Sequence, residues 1–283
     1  LSADEMAGHY SENEISEAVR RGILTGKGGA WDLISKRVQA IPEYSDFFID
    51  TYDHIETAQD IKFTDISNAV AAFMEFEWRS DTSPFDDFLQ GRLDLAISQE
   101  KGMELFYGKA NCSSCHAGAL FTDHQFHATG QPQVGPGKAA RFQSHSRDLG
   151  RFRVTGNIKD KYAFRTPSLR NVELTGPWGH AGAYSNLEAF VYAHLNPYLA
   201  LSNYDKSNVT LTKYDANDWK IMDNANEVKA IADSITIKPV IISDGEVTDL
   251  LAFLGTLTDI KAQKGRLGIP ETVPSGLEIP NPQ

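Results

Sequence analysis

Residues 111–121 read NCSSCHAGALF and hold both cysteines of the chain, Cys112 and Cys115, with His116 directly after the second. A disulfide across that spacing closes a strained, reducible ring. A redox dithiol of this kind usually follows a strand in a βαβ unit, whereas the preceding SQEKGMELFYGKAN reads as a helix. Zinc needs two further ligands at matching spacing, and there is no second cysteine pair. Covalent haem c fits best. Two thiols add to the porphyrin vinyl groups, and the adjacent imidazole reaches the iron as proximal ligand. Two thioethers clamp one porphyrin edge and set His116 under the metal. Attachment of this kind implies export to an oxidising compartment, a periplasm.

The flanking helices agree. EKGMELF puts Gly102 and Phe106 on one helical face, and a glycine there permits close crossing. GEVTDLLAFLGTL sets Val247, Leu250, Leu251, Leu254 and Leu257 at amphipathic spacing, with Asp244 as the expected N-cap. The two helices are expected to cross, as in a c-type cytochrome.

Upstream, SENEISEAVRRGI reads as a helix ending near Gly22, and GGAWDLISKRVQAI follows a glycine break. PEYSDFFIDTY has Pro42 in its first turn. FTDISNAVAAFMEFEW has Thr64 as expected cap and Ile66, Ala69, Val70 and Phe73 as expected buried stripe. Downstream, residues 121–162 predict a long loop with a short hairpin around RFRVTG. NLEAFVYAHLNP and NEVKAIADSI predict further helices, and GIPETVPSGLEIPNPQ an extended surface tail.

A formal net charge of −11 argues against nucleic acid as the main partner. No run of eighteen apolar residues exists, so no membrane span is expected. The opening LSADEMAGHY has no basic segment followed by an apolar one, so no signal peptide is expected in this sequence.

From KGMELFYGKANCSSCH through YAFRTPSLRNVELTGPWGHAGAYSNLEAFVYAHLNP, the chain resembles the bacterial dihaem cytochrome c peroxidase/MauG family. TPSLRNVELTGPWGHAG is the most specific stretch; FTDISNAVAAF and SPFDDFLQG resemble the family's middle segment. The resemblance covers most of residues 1–260. It implies an all-α fold: a partial first helical domain over 1–85, a cytochrome c-like haem domain with long loops over 86–262, and a tail over 263–283. The family carries an earlier haem motif in its first domain, and this sequence has one such motif. The chain is therefore expected to begin partway through that domain, with a second haem upstream.

The resemblance also implies roles for single residues. Glu5 falls where the family has its distal acid–base glutamate; an exposed N-terminal glutamate is the plain alternative. His194 falls where family members place the methionine or tyrosine that faces the proximal histidine across the iron. His124, His127, His145, His180, Tyr192 and Met222 are the other candidates for that place. A bis-imidazole, six-coordinate, low-spin iron is the expectation. His180 matches a histidine between the two haems, and Ala181 stands where the family has aspartate. Thr175 and Pro177 match residues whose carbonyls bind calcium between the domains. Arg165, Arg170 and Arg151 are candidate propionate donors or, equally, surface salt-bridge partners. Trp178 and Trp78 are placed to assist electron transfer or simply to pack.

The implied activity is reduction of hydrogen peroxide with electrons from a small redox protein, a c-type cytochrome or cupredoxin, in a chain that could form a homodimer. Two rivals stay open. One is a maturase-like oxidation of a partner protein or other substrate. The other is a non-catalytic, monohaem electron carrier.

Overall fold

In the computed structural model, which describes residues 7–9, 12–135, 146–211 and 217–279, helices carry the fold. Among the described residues, β-structure forms one pair of two-residue strands. The all-α expectation holds. The chain divides into two units, Leu1–Arg79 with Ala262–Gln283, and Ser80–Lys261.

In the first unit, helix starts follow local chemistry. Asn13 caps α1 (Glu14–Arg20) by accepting the Ser16 N–H at 2.9 Å. Helix α2 (Ala30–Gln39) opens after Gly29, and α3 (Pro42–Thr51) has proline in its first turn, where no N–H is needed. Helix α4 (Phe63–Glu77) begins ahead of Thr64, because the Asp65 carboxylate accepts the Lys62 N–H at 2.8 Å and makes Lys62 the cap position.

The apolar stripe expected to be buried on α4 is not. Val70 is 53% and Phe73 43% exposed. The helix buries Asp65 and Glu77 instead. Glu77 accepts the N–H groups of Arg266 and Leu267 at 2.9 and 2.6 Å, which ties the segment after Gly265 to the end of α4. A carboxylate can be buried at a helix end when backbone donors satisfy it.

The second unit opens with α5 (Pro84–Leu89), where Ser83 and Asp86 form a reciprocal cap. Helix α6 (Ile97–Tyr107) precedes the CSSCH segment. It crosses α11 (Asp244–Gly255) at Gly102. A Cβ on Gly102 would sit 1.9 Å from the Asp249 carbonyl oxygen and 2.8 Å from the Phe253 Cβ, so only bare backbone fits. Phe106, Leu250, Phe253, Leu254 and Leu257 fill the crossing with Phe85 and Phe121. The cap of α11 is Ser243, which accepts the Glu246 N–H; Asp244 is the first helical residue.

Between them run α7 (Phe152–Thr155), α8 (Leu187–Leu195), α9 (Pro197–Ser202) and α10 (Ala225–Ser234); α12 (Ile260–Lys264) follows α11. The expected hairpin around RFRVTG is the helical turn α7. Gly156, at φ 67°, ends it and donates its N–H to Phe152. The strands lie at either end of that region: β1 (Phe126–His127) pairs antiparallel with β2 (Phe164–Arg165). No helix among the described residues is long and apolar enough to cross a membrane.

Candidate functional site

The crossing fixes where the cysteines stand. After α6 the chain turns through Ala110, whose N–H returns to the Leu105 carbonyl, and through Asn111 at φ 56°. Cys112–Ser114 forms one 3-10 turn, and the His116 N–H donates to the Cys112 carbonyl at 2.9 Å. Cys112 packs against the aromatic core of the crossing. Burial pushes its thiol up to about 11.

The loop after the motif returns to hold the histidine. The Phe121 backbone, at φ 52°, offers its carbonyl to His116 Nδ1 at 3.0 Å. A carbonyl only accepts, so Nδ1 carries the proton and Nε2 keeps its lone pair. Burial, helped by the nearby His194, lowers the imidazole's pKa to about 4, with the Phe121 bond working in the opposite direction. The ring is neutral at ordinary pH, the form a metal binds.

His194 repeats this arrangement from another element. On α8 its Nδ1 meets the Phe190 carbonyl, one helical turn back, at 3.1 Å. Nε2 again keeps the lone pair. Burial lowers its pKa too. The two imidazoles are near enough that charge on His194 disfavours charge on His116.

The other histidines are held differently. His127 Nε2 meets Asp123 Oδ2 at 2.8 Å. Ligand atoms of Cys115, Asp123 and His127 lie within 4.8 Å of one another. His180 Nε2 meets Asp148 Oδ2 at 2.9 Å, and its ring stacks on Phe164 at 3.6 Å between centroids. Asp148 thus supplies in space the carboxylate that Ala181 does not supply in sequence. His124 Nδ1 accepts from the Arg165 guanidinium. His145, like Glu5, lies outside the described residues.

The arginines divide as well. Arg165 is exposed on β2, and Arg151 lies 4.0 Å over the Phe126 ring on the facing strand. Arg170 is turned elsewhere. Its terminal nitrogens meet both Asp86 oxygens at 2.8 and 2.9 Å, and its Nε donates to the Ala119 carbonyl at 2.7 Å. Burial raises the Asp86 carboxyl, but the Arg170 fork and Ser83 outweigh it and bring the pKa to about 2. Arg170 therefore fastens the loop after the motif to α5.

Thr175 and Pro177 sit in an exposed turn. Pro177 lines a cleft of about 450 Å³ together with Glu173, Leu174, Trp178 and Ser185. Glu173 brings a hard oxygen donor to the same cleft, of the type calcium takes. Trp178 donates its indole N–H to the Val172 carbonyl at 2.8 Å.

Sequence reasoning missed the partners Phe121, Phe190, Asp86 and Asp148. Only Phe190 left a signal, because four residues before a helical histidine is where its acceptor falls.

A family model described as di-haem cytochrome c peroxidase matches residues 4–94. The methylamine utilization protein MauG of Methylorubrum extorquens is 30% identical over 85% of this chain and 55% of its own length. The cytochrome-c peroxidase IdrP1 of a Pseudomonas species is 30% identical over 64% of this chain and 52% of its own. A solved structure of a MauG-like protein associated with microbial copper homeostasis is 27% identical. It covers 86% of this chain and 68% of that one, with a TM-score of 0.53. The chain spans about half the length of the curated relatives it matches.

Proposed function

The chain belongs to the dihaem cytochrome c peroxidase/MauG family, and from that premise we propose that it is the electron-handling half of a periplasmic peroxidase. Cys112 and Cys115 would hold a haem c, and His116 and His194 would each offer an imidazole nitrogen to its iron. The haem, when bound, supplies one-electron redox chemistry. In the whole protein, electrons from a small redox protein, a c-type cytochrome or cupredoxin, go to hydrogen peroxide, which is reduced to water.

One observation carries this reading. Two neutral imidazoles from separate elements each spend Nδ1 on a peptide carbonyl and keep Nε2 for a metal. That is the arrangement found around ligating histidines, where the second nitrogen's partner fixes ring and tautomer. A buried histidine of purely structural use would be expected to satisfy both nitrogens.

The remaining residues serve that centre. Arg165, at the exposed strand pair, supplies a propionate donor. His180, steadied by Asp148 and Phe164, is the residue that matches the histidine between the family's haems. Glu5 acts at the second haem as acid–base group, moving a proton between the peroxide oxygens. Carbonyls of Thr175 and Pro177 hold calcium. A maturase-type oxidation of a partner protein is the second reading, favoured by the MauG match over 85% of this chain.

His194→Ala tests the ligand set. The ferric spectrum is expected to change from low-spin to high-spin with the haem still attached; an unchanged spectrum removes His194 from the iron. Haem counted per polypeptide separates a dihaem enzyme from a monohaem electron carrier, and peroxide turnover with a reduced cytochrome separates peroxidase from maturase.

A further inference from the structure

One side of His194 carries a row of rings whose chemistry exceeds what packing requires. Phe190 meets the imidazole edge-on at 4.5 Å between centroids. Tyr184 lies 5.4 Å from Phe190, Tyr204 lies 5.6 Å from Tyr184, and Trp219 lies 6.3 Å from Tyr204. The row begins at the half-buried His194, passes the buried Tyr184, and ends at Trp219, which is half-exposed.

The aromatic cluster at the α6–α11 crossing makes a useful contrast. Its core is Phe85, Phe106, Phe121 and Phe253. Phenyl, phenol and indole fill space comparably. Phenol and indole, however, release an electron far more readily than phenyl. Tyr107 and Trp178 also pack at the crossing, but on the His194 side phenol, phenol and indole follow one another in ring contact. Tyr204 is held between its neighbours by donating its hydroxyl to the Ala183 carbonyl at 2.5 Å. Lys206 lies 5.0 Å over the Trp219 ring, a charge that opposes electron loss from the indole. Asp223 pairs with that ammonium and offsets it.

We propose that Tyr184, Tyr204 and Trp219 form an electron relay between the iron site at His194 and the protein surface, with Trp219 as its outer end. The inference rests on His194 being an axial ligand. Tyr184 is buried with no carboxylate among the described residues beside it to take its proton, so an electron crosses it rather than resting there. Trp219 reaches solvent, where water takes the indole proton.

The balance is simplest when hydrogen peroxide is supplied without an external donor. In the whole protein the electrons pass on from the His194 site to the second haem, where peroxide would take two of them with two protons and become two waters. Trp219 gives up the two electrons one at a time, and they move inward through Tyr204. One water adds to the oxidised indole, which releases two protons and is left as hydroxytryptophan. Overall, tryptophan and hydrogen peroxide give hydroxytryptophan and water. When a reduced redox protein is present, the same row carries its electron inward and Trp219 ends unchanged.

The test treats the whole dihaem protein, since an iron held by both His116 and His194 has no position for peroxide, with hydrogen peroxide in heavy-oxygen water and maps oxidised peptides by mass spectrometry. Trp219 is expected to be hydroxylated ahead of Trp78 and Trp31, which are 57% and 43% exposed, and its new oxygen is expected to come from water. Tyr204→Phe keeps the ring in place and is expected to lose most of that label without altering the haem spectrum. The relay is overturned by any of three results: label distributed according to exposure, label undiminished in Tyr204→Phe, or oxygen drawn from peroxide. Failure of the ligand assignment is read separately, in the spin state of His194→Ala. A protein that consumes peroxide without marking Trp219 loses the relay and keeps its peroxidase assignment.

Discussion

Helices α4 and α6 start from the same kind of sequence signal and finish in opposite surroundings. Both show apolar residues at helical spacing. On α6, Phe106 is 1% exposed and Gly102 lies against the backbone of α11. On α4, Val70, Phe73, Met74 and Phe76 all stay exposed, and carboxylates are buried. Periodicity assigns residues to a face; a second surface shaped to receive that face decides burial. Gly102 announces such a surface, since a missing side chain mid-helix costs stability unless something approaches. Nothing in α4 makes the same announcement.

Substitutions should reproduce that split. Phe106→Ala is expected to destabilise the second unit by roughly 3–5 kcal/mol, the usual cost of emptying a buried aromatic site, measured by denaturant unfolding. Arg170→Met should cost roughly 3 kcal/mol by leaving Asp86 buried without its partner. Its acid limb is informative. Asp86 has a folded pKa of about 2 against an ordinary value of 3.8. The stability it contributes is fully present above about pH 4 and is lost as pH falls toward 2. Unfolding followed by pH should show this loss in the parent and much less of it in the variant.

Gly102→Ala is expected to cost roughly 1–3 kcal/mol through overpacking, because the Asp249 carbonyl is backbone and cannot step aside. A neutral result would mean that α6 and α11 are farther apart than described. Val70→Ser on α4 should lie within about 0.5 kcal/mol of the parent. A larger loss would show that something covers α4 after all.

The same contrast explains what the sequence disclosed. The α6–α11 crossing was readable because Gly102, Phe106 and the leucines of α11 describe two complementary faces. The haem motif was readable because its chemistry is local. Helix caps were placed within a residue or two, as at Ser243 against Asp244, since several nearby side chains compete for the same N–H groups. At Phe152–Thr155 the sequence predicts a hairpin and the chain makes a helical turn, because Gly156 serves either structure. The Arg170–Asp86 pair was invisible, joining distant segments with no periodic mark. The carbonyl holding His116 was invisible too, because it depends on the backbone angle at Phe121 rather than on any side chain.

Those carbonyls have a consequence for the metal. A carboxylate on the far nitrogen would draw the proton away, give the ring imidazolate character and bias the iron toward its higher oxidation state. His127 and His180 are held in that way; His116 and His194 are held by uncharged peptide oxygens. An iron held by the latter pair, as proposed, would gain or lose its electron with little pull from its supports, and no proton on those rings would have to change owner when it did.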